Sequence, residues 1–128
     1  MAEVVVLDAS AIIAVIQSEP GGHLVVNLKT KPLASTVNIV EARTKLFDFG
    51  HTSVQVDELM KLVDMIEVDF TSAQSRIASG MRDTTRHAGL SLGDRACLAL
   101  AVERNAVAMT TDQQWAKVDV AVRVELIR

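Results

Sequence analysis

At 128 residues the chain has the length of a single domain, and it buries roughly 65–70% of the surface exposed on unfolding, enough for one core. Hydrophobic residues make up 49% of it and the formal net charge is −3, which argues against disorder and against a domain that attracts nucleic acid by overall charge. With one Trp, three Phe and no Tyr it also lacks an aromatic platform for stacking bases, so RRM-like or OB-like binding is not expected.

The chain opens on Val4-Val5-Val6-Leu7 followed by Asp8-Ala9-Ser10. An unbroken β-branched run suits a central parallel strand covered on both faces, and the residue just past its carboxyl end is where open α/β sheets bind ligands. Asp8 stands there, and Asp8 or Ser10 can also cap the apolar helix Ala11–Ile16. Pro20-Gly21-Gly22 closes that helix, residues 23–28 form a short second one, and Leu33-Ala34-Ser35 reads as a strand. From Thr36 the apolar spacing predicts a helix to Gly50, with Glu41 in its first two turns. A second helix from near Ser53 carries Val56, Leu59, Met60, Val63 and Ile66 at helical spacing, making a hairpin with the first. Val68 lies in a short strand ended by Asp69, and Thr71 to Gly89 reads as one long helix with Ile77, Ala78 and Met81 inward and a basic outer side. Ser91-Leu92-Gly93-Asp94 opens a helix through Arg104, residues 106–110 form a buried strand, Asp112 to Lys117 a short helix, and Val122 to Ile127 a closing edge strand. The alternation predicts a single α/β domain over residues 1–128, a parallel central sheet flanked by helices.

Four carboxylates recur in one setting: Asp8 and Asp112 after strands, Glu41 and Asp94 in the early turns of helices. Each has an ordinary explanation. Asn38-x-x-Glu41 and Ser91-x-x-Asp94 approximate capping boxes, Glu41 can pair with Lys45, and Asp112 or Thr111 can cap the last helix. Jointly those explanations weaken, because parallel strands and the helices after them start on the same edge of the sheet. Four acids converging there raise one another's pKa or require a cation, and oxygen-only ligands suit Mg²⁺, with Mn²⁺ as substitute, rather than zinc.

Cys97 is the only cysteine, so an intrachain disulfide or thiolate cluster is excluded and it reads as core. Trp115 reads as core under the last helix, and His23, His51 and His87 have no metal-ligand spacing. Glu3 precedes a short apolar run that Asp8 interrupts, and no stretch reaches the ~20 apolar residues of a membrane span, so a cytoplasmic protein with no membrane partner is expected. A mean hydropathy of +0.26 on so small a domain leaves an exterior that a second copy or partner can cover.

VVVLDASAIIAVI, STVNIVEA, LSLGDRACLALA and AMTTDQQW, in that order along nearly the whole chain, resemble the four acidic motifs of the PIN domain, most closely those of VapC-type toxins. The resemblance implies a Mg²⁺-dependent endoribonuclease, the toxin of a toxin–antitoxin pair, working as a homodimer and inhibited by a small VapB-like antitoxin. It implies that Asp8, Glu41, Asp94 and Asp112 are the acidic quartet that holds metal and carries catalysis, with Ser10, Asn38 and Thr111 as polar support.

Such acids hydrolyse a phosphodiester through one or two Mg²⁺ and a metal-activated water, with no side-chain nucleophile. The RNA phosphates still need cations. Arg76, Arg82, Arg86, His87 and Arg95 crowd around Asp83 and Asp94 in sequence, and Arg82, Arg86 and Arg95 are the expected phosphate contacts, against the alternative of a solvated helix face. Three other readings compete: a housekeeping PIN nuclease in RNA processing, a PIN-like binding module, and a Mg²⁺-dependent phosphotransfer domain. The module predicts a broken acidic set, and the set is intact. A receiver-like domain wants adjacent acids after the first strand, a haloacid-dehalogenase-like one wants Asp where Ser10 stands, and both want a lysine near Thr110-Thr111-Asp112, where there is none.

Overall fold

The computed structural model describes residues 3–128, so residues 1 and 2 of the expected domain lie outside the described residues. β1 (Val5–Leu7) is buried on both faces, as its β-branched run predicts. Val5 and Leu7 join a core cluster with Ile12, Ile39, Leu46 and Val56, and Val6 points into a second with Leu98, Leu100 and Trp115. Strand β1 pairs in parallel with β2 (Leu33–Ser35) on one side and β4 (Val107–Thr110) on the other. With β3 (Ile66–Val68) and β5 (Val124–Leu126) at the edges the order is β3-β2-β1-β4-β5, every pair parallel.

Helices α1 (Ala9–Ile16), α3 (Thr36–Asp48) and α4 (Ser53–Met60) contribute to the first cluster, and α7 (Leu92–Arg104) lines the second with a continuous buried run from Ala96 to Ala101. Cys97 and Trp115 are core residues as expected. The edge strand β5 is shorter than the alternation of residues 122–127 predicts, while Ile127 is buried in the first cluster.

Three boundaries differ from expectation. Gly22 does not close α1 but begins α2 (Gly22–Val26), with Gly21 in the left-handed region at φ +92°. A Cβ on Gly21 would meet the carbonyl oxygen of Ile127, so only glycine serves. Ile66, though at helical spacing from Val56 to Val63, opens β3: α4 ends at Met60, and Leu33 pairs with Ile66 in the sheet. The helix expected over residues 71–89 is three pieces, α5 (Ser72–Gly80), α6 (Arg82–Thr85) and a 3-10 turn at Arg86–Ala88. Gly80 is a weak helix former, and the Thr84 and Thr85 hydroxyls both donate to the Met81 carbonyl, competing with the regular helix pattern. No helix among the described residues is long and apolar enough to cross a membrane.

Candidate active site

The parallel topology brings the carboxyl ends of β1, β2, β4 and β5 to one edge, where a cleft of about 420 Å³ is lined by Asp8, Ser10, Glu41, Asp94, Thr111 and Asp112, and also by Ile13, Glu19, Lys45 and Arg128. All four acids expected from the sequence therefore share one cleft. For three of them the capping role is also real. Asp8 caps α1, accepting from the Ala11 amide at 3.0 Å, Asp94 and Ser91 form a reciprocal capping box, and Asp112 accepts from the Gln114 amide at 2.9 Å. Capping fixes where each carboxylate stands without preventing it from facing the cleft.

Asp8 lies deepest, 4% exposed. Its Oδ1 accepts from Ser10 Oγ at 2.6 Å and its Oδ2 from Thr110 Oγ1 at 2.8 Å. The same hydroxyls accept in turn, Ser10 Oγ from the Thr111 amide and Thr110 Oγ1 from the Asp112 amide, each at 3.0 Å. Ser10 and Thr110 thereby tie the ends of β1 and β4 together around the carboxylate. Thr111 takes part through its backbone, so the side chain that does the tying is its neighbour Thr110, which the sequence reading missed. Burial pushes the Asp8 carboxyl up to about 6 against the opposing pull of these hydrogen bonds, and the charge of Asp94 adds to the rise.

Glu41 does not sit in a capping box: α3 starts earlier, on Ser35, whose hydroxyl accepts from the Val37 amide at 3.2 Å. Asn38, fully buried, instead donates through Nδ2 to Glu41 Oε1 at 2.9 Å and to the Gly93 carbonyl at 3.0 Å, joining α3 to the start of α7. Glu41 is an exposed residue, but its carboxylate rests on Gly93. Loss of water there raises its pKa, opposed by the Asn38 bond and reinforced by Asp94. Asp94 is raised as well, chiefly by burial, with Asp112 pushing the same way and Arg95 opposing. Beneath the acids the Cys97 thiol is held well above its ordinary pKa by burial and by the charges of Asp8, Asp94 and Glu41, which keeps it an inert thiol.

The expected arginines do not line the cleft. Arg82 and Arg86 are exposed, Arg86 paired with Asp83 at 3.3 Å, and Arg95 donates to the Ala78 carbonyl at 3.1 Å, joining α7 to α5. The cations that do line it are Lys45 and Arg128. The expected Glu41–Lys45 pair does not form, since Asn38 holds Glu41 and the Lys45 ammonium lies 5.7 Å from the centre of the Phe49 ring. Proximity in sequence made the arginines plausible; only the sheet order reveals Arg128.

The donors are oxygens, with no His or free thiol among them. Among the described residues no three acidic, His or Cys side chains are close enough to enclose an ion directly. Asp8, Glu41 and Asp94 are each engaged by hydrogen bonds from their own elements. As a donor set, oxygens alone suit a hard cation such as Mg²⁺ rather than the tetrahedral nitrogen and sulfur set of zinc.

The PIN domain family model matches residues 5–121. No curated protein matches the chain. Among solved structures, VapBC2 from Rickettsia felis bound to a fragment of its promoter DNA superposes with a TM-score of 0.75 at 14% identity, over 96% of this chain and 98% of that one. A toxin–antitoxin complex from Klebsiella pneumoniae gives 0.74 at 13%, over 97% and 98%. VapC20 from Mycobacterium tuberculosis, a toxin that cleaves the sarcin–ricin loop, gives 0.73 at 17%, over 93% and 98%. At such identities the likeness is one of fold, the fold of toxins found in VapBC complexes. Taken with a family match that runs from β1 to the approach of β5, the parallel sheet and its acidic edge make this chain a member of the PIN-domain family.

Proposed function

We propose that the chain is a Mg²⁺-dependent endoribonuclease, the toxin of a toxin–antitoxin pair. The observation that carries this reading is the gathering of Asp8, Glu41, Asp94 and Asp112, from four parts of the sequence, in one cleft at the carboxyl edge of the sheet. Asp8 and Asp94 are the first-choice direct ligands of Mg²⁺ (or Mn²⁺), with Glu41 next, and Asp112 contributes through water or at a second ion. When bound, the ion lowers the pKa of a coordinated water and stabilises charge on the phosphate and the leaving oxygen. The protein's own part is positional: Ser10 and Thr110 orient Asp8, Asn38 orients Glu41, and the Ser91 capping box orients Asp94. Because Asp8 titrates near 6, the cleft reaches its full negative charge only toward neutral pH.

A VapB-like antitoxin as partner is supported by the neighbours, which come from toxin–antitoxin complexes. A homodimer is supported by the exposed apolar face of α3 and α4, where Val40, Phe47 and Val54 are 62%, 44% and 73% exposed.

The test uses end-labelled RNA and purified protein. Cleavage should leave a 5′-phosphate and a 3′-hydroxyl, stop in EDTA, return with Mg²⁺ or Mn²⁺ but poorly with Ca²⁺, and vanish in Asp8→Asn and Asp94→Asn. Undiminished cleavage in EDTA, cyclic-phosphate ends, or full activity in both variants would overturn the assignment. A small reading frame abutting the gene separates a toxin from a housekeeping nuclease.

A further inference from the structure

The cleft is lined by five carboxylates, the four above and Glu19, yet an RNA strand brings a negative phosphate at every nucleotide. Any ribonuclease built on this edge needs fixed cations beside the acids, and two line it. Lys45 stands on α3, one turn after Glu41. It forms no ion pair among the described residues, and its ammonium rests near the Phe49 ring, which holds it without neutralising it. Arg128 follows β5 at the other side of the sheet and donates through one terminal nitrogen to Glu19 Oε1 at 3.0 Å and to the Pro20 carbonyl at 3.3 Å. A guanidinium has five N–H donors, so this contact leaves others to offer.

Sheet order sets the relation between the two. α3 follows β2 and Arg128 follows β5, while Asp8 and Asp112 follow β1 and β4 between them. Three strand spacings separate β2 from β5, roughly 14 Å in all. α3 and Arg128 thus stand on opposite sides of Asp8 and Asp112 along the edge, and both cations line the cleft that holds the acids.

We propose that Lys45 and Arg128 hold the phosphates flanking the scissile bond, so that the RNA strand runs along the acidic edge from α3 to the segment after β5. This rests on the ribonuclease reading above. It moves the phosphate contacts away from Arg82, Arg86 and Arg95, and it gives Glu19 a part: by holding Arg128 it competes with the substrate phosphate.

The probe is a 5′-labelled single-stranded RNA pool randomised at every position. Its affinity is measured by anisotropy in Ca²⁺ over a range of NaCl concentrations, and its cleavage in Mg²⁺. Lys45→Ala and Arg128→Ala should each weaken binding roughly 10- to 150-fold, as loss of a hydrogen bond to a charged group does, with KM raised more than kcat falls. Each should also reduce the salt slope by about 0.7, the value for one phosphate contact on a single strand. Lys45→Arg should restore the slope, and Lys61→Ala, which removes an exposed charge outside the cleft, should not change it. Glu19→Gln should tighten binding about threefold by freeing Arg128 from a partly exposed ion pair. A wild-type slope in both cation variants, while wild-type protein still cleaves, overturns these phosphate contacts and leaves the nuclease standing. So does a loss confined to Arg82→Ala and Arg86→Ala. If wild-type protein neither binds nor cleaves the pool, both readings fall.

Discussion

Gly93 lies directly under the Glu41 carboxylate: a Cβ built on Gly93 would stand 2.1 Å from Glu41 Oε2. No side chain fits there unless Glu41 moves. What would have to move is the far end of a flexible side chain, not backbone. Gly93→Ala should therefore fold, with a melting temperature close to wild type or above it, because Ala is favoured over Gly within a helix by about 1 kcal/mol. RNA cleavage should fall tenfold or more as Glu41 is displaced, an effect expected when a reacting group is misplaced by about 1 Å. Full activity in this variant would show that Glu41 has no fixed position to lose.

The buried charge of Asp8 makes metal-free stability depend on pH. Its carboxyl titrates at about 6 in the fold and near 3.9 in the unfolded chain, so the folded state holds the proton more tightly. Stability in EDTA should consequently fall as pH rises from about 4 to about 6, by on the order of 2–3 kcal/mol, and stay low above that. The raised pKa values of Glu41 and Asp94 act in the same direction. Asp8→Asn should flatten this dependence and, at pH 7.5 in EDTA, be more stable than wild type by about 1–2 kcal/mol, so that stability and the proposed activity move in opposite directions. Thermal melts from pH 4 to 8 decide it; a wild-type profile that rises through that window contradicts the buried charge.

Much of this was legible in advance, and the remainder depended on register. The β-branched run of β1, the Ser91–Asp94 capping box and the four acids carry local signals and lie where those signals indicate, whereas the box read around Asn38 gives way to a cap at Ser35. Thr110 and Thr111 are chemically alike and adjacent; what makes Thr110 the partner of Asp8 is the pairing of Leu7 with Met109, a contact made across the sheet. Ile66 fits a helical period and a strand equally well, and its pairing with Leu33 settles the matter. Lys45 pointed to Glu41 by spacing, but the buried Asn38 took that carboxylate first.

Thr110 can be probed through the proton it holds in place. Thr110→Val keeps the shape but removes a hydroxyl that donates to Asp8 and accepts from the Asp112 amide. Leaving buried partners unsatisfied costs about 1–3 kcal/mol, and Thr110→Ser should recover most of it. Loss of a bond that lowers the Asp8 pKa should also shift the acid limb of the pH–rate profile upward in the valine variant alone. An unmoved limb would confine Thr110 to a packing role.

Metal binding has a readout independent of cleavage. A ligand that binds only the folded state stabilises it by about 2.7 kcal/mol at a hundredfold excess over Kd. Saturating Mg²⁺ should accordingly raise the wild-type melting temperature at pH 7.5, and raise it less in Asp8→Asn and Asp94→Asn. Equal shifts in all three proteins would place the ion elsewhere.

Val40 and Phe47 lie two turns apart on one side of α3 and are both exposed. Replacing both with Lys should convert a dimer at micromolar concentration to a monomer by light scattering without lowering the melting temperature of the isolated fold. A wild-type protein that is already monomeric removes this face as a self-interface.

The tie between Asp8 and Thr110 spans 102 positions of the chain, and the strand it joins to β1 is the fourth of five. A ribosome making this protein therefore exposes its first acid early and cannot complete the centre until Asp112 has left the exit tunnel and β4 has docked. On the proposed ribonuclease reading, a product truncated before β4 carries Asp8 without its Thr110 tie and should leave RNA uncut.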